Sequence, residues 1–261
     1  MRAVLLVGQG QTSSRGAPLI RLAARCRTAA IAPIVTACFL RHQRPSFAEA
    51  FAQCAAQGAQ EAVVIPYVLS LTEPDRGELE RCVEQAHQTF PQIAIHITPP
   101  VGDHPILAQV LMQRAIEADY IAAHHIQIQQ QRLDWPAWQQ QHVVGLLIVV
   151  DRLTDIPATL QREVLTFCHR VERYSGVHFC AIDRDNPDLL SPLEALMANE
   201  CRWVVIAPYA LEMSVLLIDA IEQAVAGTRA RRPDVTVIQA EHLAYDRRLI
   251  EAIAERARVP R

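Results

Sequence analysis

The segment LLVGQGQTSSRG sets Gly8 and Gly10 directly behind a short apolar run, with Ser13, Ser14 and Arg15 leading into an amphipathic stretch. Glycines let backbone N–H groups approach a phosphate or carboxylate, a helix start adds partial positive charge, and an arginine pairs with such an anion bidentately. A tight turn uses the same glycines, and Ser13 breaks the full GxGxxG spacing, so both uses stay open. His104 lies in the Pro- and Gly-rich loop TPPVGDHPIL, where its imidazole either titrates usefully or caps a helix beginning at Pro105. Asp151, Asp183 and Asp185 follow two further apolar runs. Three acids can hold a divalent cation, although polar strand-end loops also occur without one. His124 and His125 have no third ligand in local spacing and read as solvent-facing.

Composition narrows the chemistry. All 25 residues of the Lys+Arg count are arginine, which excludes Schiff-base catalysis and disfavours P-loop nucleotidases and protein kinases. No HExxH, GxSxG or EF-hand pattern occurs. With 51% hydrophobic residues, 20% charged residues and a net charge of -3, the 261-residue chain reads as globular, with no nucleic-acid partner. Runs such as Val143–Val150 fall far short of the ~20 residues of a membrane span, and MRAVLLVGQG offers no secretory cleavage site. A cytoplasmic location without a membrane partner is expected. The seven cysteines form no CxxC pair and read as small buried hydrophobes.

An internal repeat organises these residues. Cys26 and Cys168 are 142 residues apart, and so are Cys38 and Cys180. The same offset superposes Leu5 on Leu147, Val63 on Val205, Pro66 on Pro208, Tyr67 on Tyr209 and Pro91 on Pro233. Each half alternates short apolar runs with amphipathic stretches, the pattern of strands joined by helical crossovers. The expected strands are Ala3–Val7, Ile34–Phe39, Ala62–Tyr67 and Ile93–Thr98, then Val144–Val150, Val177–Ile182, Trp203–Pro208 and Val235–Gln239. Pro45 and Pro187 are placed in first helical turns. The expected fold is α/β: two tandem duplicated βαβ-type units, each with a parallel four-stranded sheet flanked by helices, and a ligand cleft between them. The expected boundaries are 1–121 for the first unit, 122–142 for a Gln-rich connector, and 143–261 for the second.

LLVGQG, FLRHQRPSFAEAF, VVIPYVLS followed by LTEPDRGELE, and PPVGDHPILAQVL together resemble the sirohydrochlorin chelatases of the CbiX/SirB type. P-S-x-A-E-A at Pro45–Ala50 and G-x-H-P at Gly102–Pro105 carry the resemblance most specifically. Longer members of that family look like a tandem copy of one chelatase unit, so the resemblance covers nearly the whole chain. It implies a lyase-class chelatase that inserts Co2+ or Fe2+ into sirohydrochlorin for cobalamin or sirohaem synthesis. The metal is then a substrate, and no permanently bound cofactor is implied. Metal entry expels two pyrrole protons, which calls for a proton acceptor and a metal-holding ligand.

The positions the resemblance marks as functional are altered. The family's GHG start has Gln9 for histidine, its second histidine falls on Pro74, and its glutamate falls on Arg41. Their counterparts in the second half are Asp151, Leu216 and Asp183. Glutamine cannot accept a proton as imidazole does, and proline offers no side-chain ligand.

Three readings therefore stand side by side, with enzymatic activity left open. A divergent chelatase would use His104, Glu73, Asp151, Asp183 or His42, the last three as metal ligands. A catalytically inactive relative would bind a tetrapyrrole or a protein partner. Its macrocycle would meet Gly8, Gly10, Ser13, Arg15 and Arg41, with Tyr67 and Tyr209 either as aromatic walls or as a structural repeat position. A structural or assembly protein would keep the fold for its surface alone. Pairing with a second copy of the chain is left open.

Overall fold

A computed structural model describes residues 1–10, 17–130, 143–182, 188–244 and 246–258. The first half runs β1 (Arg2–Gly8), α1 (Ala17–Thr28), β2 (Ile34–Phe39), α2 (Phe47–Ala56), β3 (Glu61–Pro66), α3 (Glu73–Thr89), β4 (Ala94–Ile97) and α4 (Ile106–Gln130). The second half runs β5 (Val144–Val150), α5 (Ala158–Val171), β6 (Tyr174–Ala181), α6 (Leu190–Ala198), β7 (Trp203–Pro208), α7 (Val215–Arg231), β8 (Thr236–Gln239) and α8 (Arg248–Ala257). Two four-stranded sheets result, ordered β2-β1-β3-β4 and β6-β5-β7-β8, and every pairing is parallel. The fold is the expected α/β architecture.

The 142-residue offset holds in the hydrogen-bonded register. Ala3 pairs with Ile34 and Ala62, and Gly145 pairs with Gly176 and Val204. Glu61 opposite Ala94 is repeated as Trp203 opposite Thr236. Beyond the ladders, Tyr67 N–H donates to Val7 O and Tyr209 N–H to Val149 O, both at 2.8 Å. A one-residue slip would turn every side chain to the wrong face, so two sheets in one register need matching apolar patterns.

The central strands β1 and β5 are buried on both faces, which is why they read as unbroken apolar runs rather than as alternating ones. One face of the first sheet packs Leu5, Val7, Phe47, Phe51 and Leu79; the corresponding cluster of the second holds Leu147, Val149, Leu193, Leu196 and Ile221. The cysteines that reveal the repeat sit in equivalent places. Cys26 on α1 and Cys168 on α5 are both buried, and burial pushes each thiol up to about 11.

The P-S-x-A-E-A motif is a helix start. Ser46 caps α2, accepting from Glu49 N–H, while the Glu49 carboxylate accepts from Ser46 N–H. Pro45 therefore stands before the cap, outside the helix, and Pro187 lies outside the described residues.

The compact units do not follow the expected boundaries at 121 and 143. One comprises Met1–Ile106 with Ala244–Arg261, the other Leu107–Leu243. Each therefore takes its final helix from the opposite half of the sequence. In the first unit α8 packs on α1 and β3, and Arg2 reaches the Ala257 carbonyl at 3.1 Å. In the second, Asp119 on α4 accepts two hydrogen bonds from Arg173, at 2.8 and 3.0 Å. Residues 122–130 of the expected connector continue α4, because glutamine is a good helix former without any apolar stripe; the rest of the connector lies outside the described residues.

Candidate functional site

In the first unit, the loop after β1 supplies Gln9, the loop after β2 supplies Arg41, and the start of α3 supplies Asp75, capped by Thr72. Asp75 is their shared acceptor. Its Oδ2 receives Gln9 Nε2 and Thr72 Oγ1, both at 2.6 Å, and its Oδ1 receives an Arg41 Nη at 2.9 Å. The other Arg41 Nη pairs with Glu78 one turn along α3. Burial of Asp75, only 3% exposed, opposes its charge. The hydrogen bonds from Thr72 and Gln9 and the Arg41 guanidinium outweigh that and hold the carboxyl below its ordinary range. Pro74 is exposed in the first turn of α3 and contributes no side chain. A charge-paired cluster thus occupies the strand ends where the family resemblance implies histidines.

Gly8 and Gly10 serve close packing. A Cβ on Gly8 would come within 2.9 Å of Leu19, and one on Gly10 within 1.8 Å of the Arg41 carbonyl. Gly10 also has φ +79°, the left-handed region. Arg41 N–H donates to Gln9 O at 3.1 Å, so the loop after β1 lies directly on the backbone after β2. Here the tight-turn use of these glycines is the one the packing requires. Ser13 and Arg15 lie outside the described residues.

In the second unit the repeat position of Gln9 is Asp151, and that of the Thr72 cap is Ser214. Ser214 Oγ accepts from Leu217 N–H and donates to Asp151 Oδ1 at 2.5 Å. Burial pushes the Asp151 carboxyl above its ordinary range; the Ser214 hydroxyl pulls back, and nearby Asp155 pushes further. Asp155 is itself buried against Arg152, which donates two hydrogen bonds at 3.1 and 3.2 Å. Leu216 is partly buried in the first turn of α7, and Asp183 and Asp185 lie outside the described residues. Among the described residues, no group of three or more His, Cys, Asp or Glu is placed to hold a metal ion.

The remaining candidates are not drawn into either cluster. His104 Nδ1 accepts from Ile106 N–H at 3.2 Å, and Nε2 faces Glu255 at 2.9 Å, so the imidazole caps α4 and tethers α8. His42 is exposed in a left-handed loop position, φ 57°. Glu73 is exposed at the start of α3. Tyr67 and Tyr209 are buried at the same repeat position, leaving little ring surface for a macrocycle wall. His124 is exposed and stacks on Tyr120. Of the positions marked by sequence, Gln9 and Arg41 are brought together.

Sequence reasoning missed Thr72, Asp75, Glu78, Asp155, Ser214 and His242. Thr72 and Asp75 carried a legible signal, since T-x-x-D before a helix is a capping pattern. So did Ser214, which falls at 72 in the repeat. His242 lies just beyond β8, and burial lowers its pKa, favouring the neutral imidazole.

The CbiX family model matches residues 3–118 and 157–259. Sirohydrochlorin cobaltochelatase from Priestia megaterium is 26% identical over 118 residues, covering 45% of this chain and 39% of that protein. The chloroplastic sirohydrochlorin ferrochelatase of Arabidopsis thaliana is 32% identical over 82 residues, covering 31% of this chain and 36% of that protein. This chain therefore aligns with well under half the length of either curated relative. Among solved structures, SirB from Bacillus subtilis with Fe3+ superposes with a TM-score of 0.70 at 18% identity, covering 98% of this chain and 94% of that one. The sirohydrochlorin chelatase SirB from Bacillus subtilis subspecies spizizenii, in complex with cobalt, gives 0.67 at 19% identity with the same coverage. At these identities the structural likeness speaks for the fold. No helix among the described residues is long and apolar enough to cross a membrane. With its model matched across most of both halves, the chain belongs to the CbiX family.

Proposed function

We propose that this chain inserts Co2+ or Fe2+ into sirohydrochlorin or a related tetrapyrrole, with Asp151 as the proton acceptor. Each insertion exchanges one divalent cation for two pyrrole protons, so the step needs a base at the ring. The observation that carries this reading is the partly buried Asp151 carboxylate, fixed by Ser214 at the end of β5 and made more basic by burial. A more basic carboxylate takes up a proton more readily near neutral pH. His242 at the end of β8 is a second, neutral base in the same unit. The sirohydrochlorin chelatase relatives support the substrate class and the choice of metals. Asp183, which follows β6 in the sequence, is proposed beside Asp151 as a metal ligand.

The test is an absorption titration of sirohydrochlorin followed by addition of Co2+. The expected result is a saturable spectral change, then metal insertion faster than without protein. Asp151→Asn should lower the insertion rate by about a hundredfold, the scale of a lost general base, with binding retained. A wild-type rate equal to the protein-free control would overturn the reading.

The Gln9–Asp75–Arg41 cluster favours a second reading, an inactive relative that binds the tetrapyrrole without metallating it. Its signature is the spectral shift without turnover. A scaffold with no macrocycle site would leave the spectrum unchanged.

A further inference from the structure

The groove between α2 and α3 and its repeat between α6 and α7 are filled differently. In the first unit Phe90, at the end of α3, packs on Phe51 with ring centroids 5.7 Å apart, and Phe51 stacks on Phe47 at 5.9 Å. Ala86 is buried beneath them. At the offset of 142, Phe51 becomes Leu193, Ala86 becomes Thr228 and Phe90 becomes Arg232. Arg232 still lines the space but pairs with Asp234, donating at 2.9 and 3.0 Å. What remains is a cleft of about 290 Å³, walled by Leu190 and Met197 and rimmed by Glu194 and Arg231. Thr228 lines it with an unusual feature: the residue is 2% exposed, and its hydroxyl has no hydrogen-bond partner among the described residues.

We propose that this cleft binds a small neutral aromatic molecule of the phenol class. The ring would take the place that Phe90 fills in the first unit, and its hydroxyl would satisfy Thr228. A buried hydroxyl left unpaired is costly, and a ligand that completes its hydrogen bond recovers that cost. A neutral ligand is specified because the rim charges are already matched, Arg231 with Glu194 at 3.4 Å and Arg232 with Asp234. The carbonyl end of α7 also borders the cleft and disfavours an anion. The site is separate from the strand ends: α7 begins just after its cap Ser214, and its seventeen residues carry Arg231 about 25 Å away.

Fluorine NMR of para-fluorophenol against the full chain tests this, with fluorobenzene as the partner probe. Saturable broadening by fluorophenol is expected, with fluorobenzene about tenfold weaker for want of the hydroxyl. Thr228→Val, which keeps the shape, should erase that difference. Arg232→Phe, which copies Phe90, should abolish binding of both probes while leaving far-ultraviolet circular dichroism unchanged. The proposal is overturned if wild type gives no saturable signal, if it binds the two probes equally, or if binding survives in a folded Arg232→Phe variant. Should that variant not fold, an unaltered preference in Thr228→Val overturns it alone.

Discussion

Thr72 and Ser214 stand at one repeat position, cap equivalent helices and donate to an aspartate, yet the two carboxylates are driven in opposite directions. Asp75 sits on the helix and gathers an amide, a hydroxyl and a guanidinium. Asp151 sits on the strand end and has the hydroxyl, with the Asp155 carboxylate and the Arg152 guanidinium nearby acting in opposite senses. Between the halves the acid has moved: where the first has Gln9 and Asp75, the second has Asp151 and Leu217. The backbone supplies the same geometry twice, so the opposite shifts come from the balance of burial and partners at each carboxyl. In the first unit the arrangement favours the ion; in the second it favours the protonated acid.

The strongest way to break that contrast is Asp75→Leu, which installs the second unit's residue in the first. Gln9 and Thr72 lose their shared acceptor, and Arg41 keeps Glu78 alone. Removing one member of a buried pair costs about 3–5 kcal/mol. Arg41 is 37% exposed, so water can resolvate it, and a loss of about 2 kcal/mol in urea unfolding is expected. A loss below about 0.5 kcal/mol would show that the cluster is ornamental.

The pH dependence sharpens the contrast further. Asp75 has a lowered folded-state pKa, so its contribution is present above its unfolded value of about 3.9 and is lost as pH falls through the folded value. Asp75→Asn should flatten that acid limb. Asp151 has a raised folded-state pKa, so its contribution is complete below the unfolded value and disappears as pH rises through the folded one. Asp151→Asn should leave stability at pH 7 unchanged or higher, the sign opposite to Asp75→Asn. Two losses of like sign in chemical denaturation at pH 7 would refute the opposite directions in which the two carboxyls are shifted.

Much of the architecture was legible because it rests on repetition. An offset found from cysteines and prolines became the register of two sheets, since backbone pairing admits no partial shift. The unit boundaries were not legible. Nothing in the composition of α4 or α8 says which sheet each helix covers, because an apolar face fits either. At the site, Gln9 and Arg41 are marked by resemblance, whereas Asp75 carries no such mark, because the family position falls on its neighbour Pro74. A missing ligand was visible in the sequence. The ion pair found there depends on side-chain directions across two loops and a helix start, which spacing does not encode.

The caps offer a smaller test of the same comparison. Thr72→Ala and Ser214→Ala each remove an N-cap hydroxyl, worth about 1 kcal/mol. Their equal backbone roles predict nearly equal losses in thermal or urea unfolding. Their unequal acids predict different pH profiles. Thr72→Ala takes from Asp75 the donor that lowers its pKa most, but Gln9 and Arg41 remain, so the carboxyl should rise and still titrate below its ordinary range. Ser214→Ala takes from Asp151 the hydroxyl that favours its charged form, leaving burial and Asp155 to raise its pKa further. The pH at which that carboxyl titrates, followed by NMR, should therefore climb in Ser214→Ala while Asp75 stays low in Thr72→Ala. An Asp75 carboxyl that climbs above its ordinary range in Thr72→Ala would mean that the hydroxyl alone governs each acid, and that the guanidinium of Arg41 does not set the two halves apart.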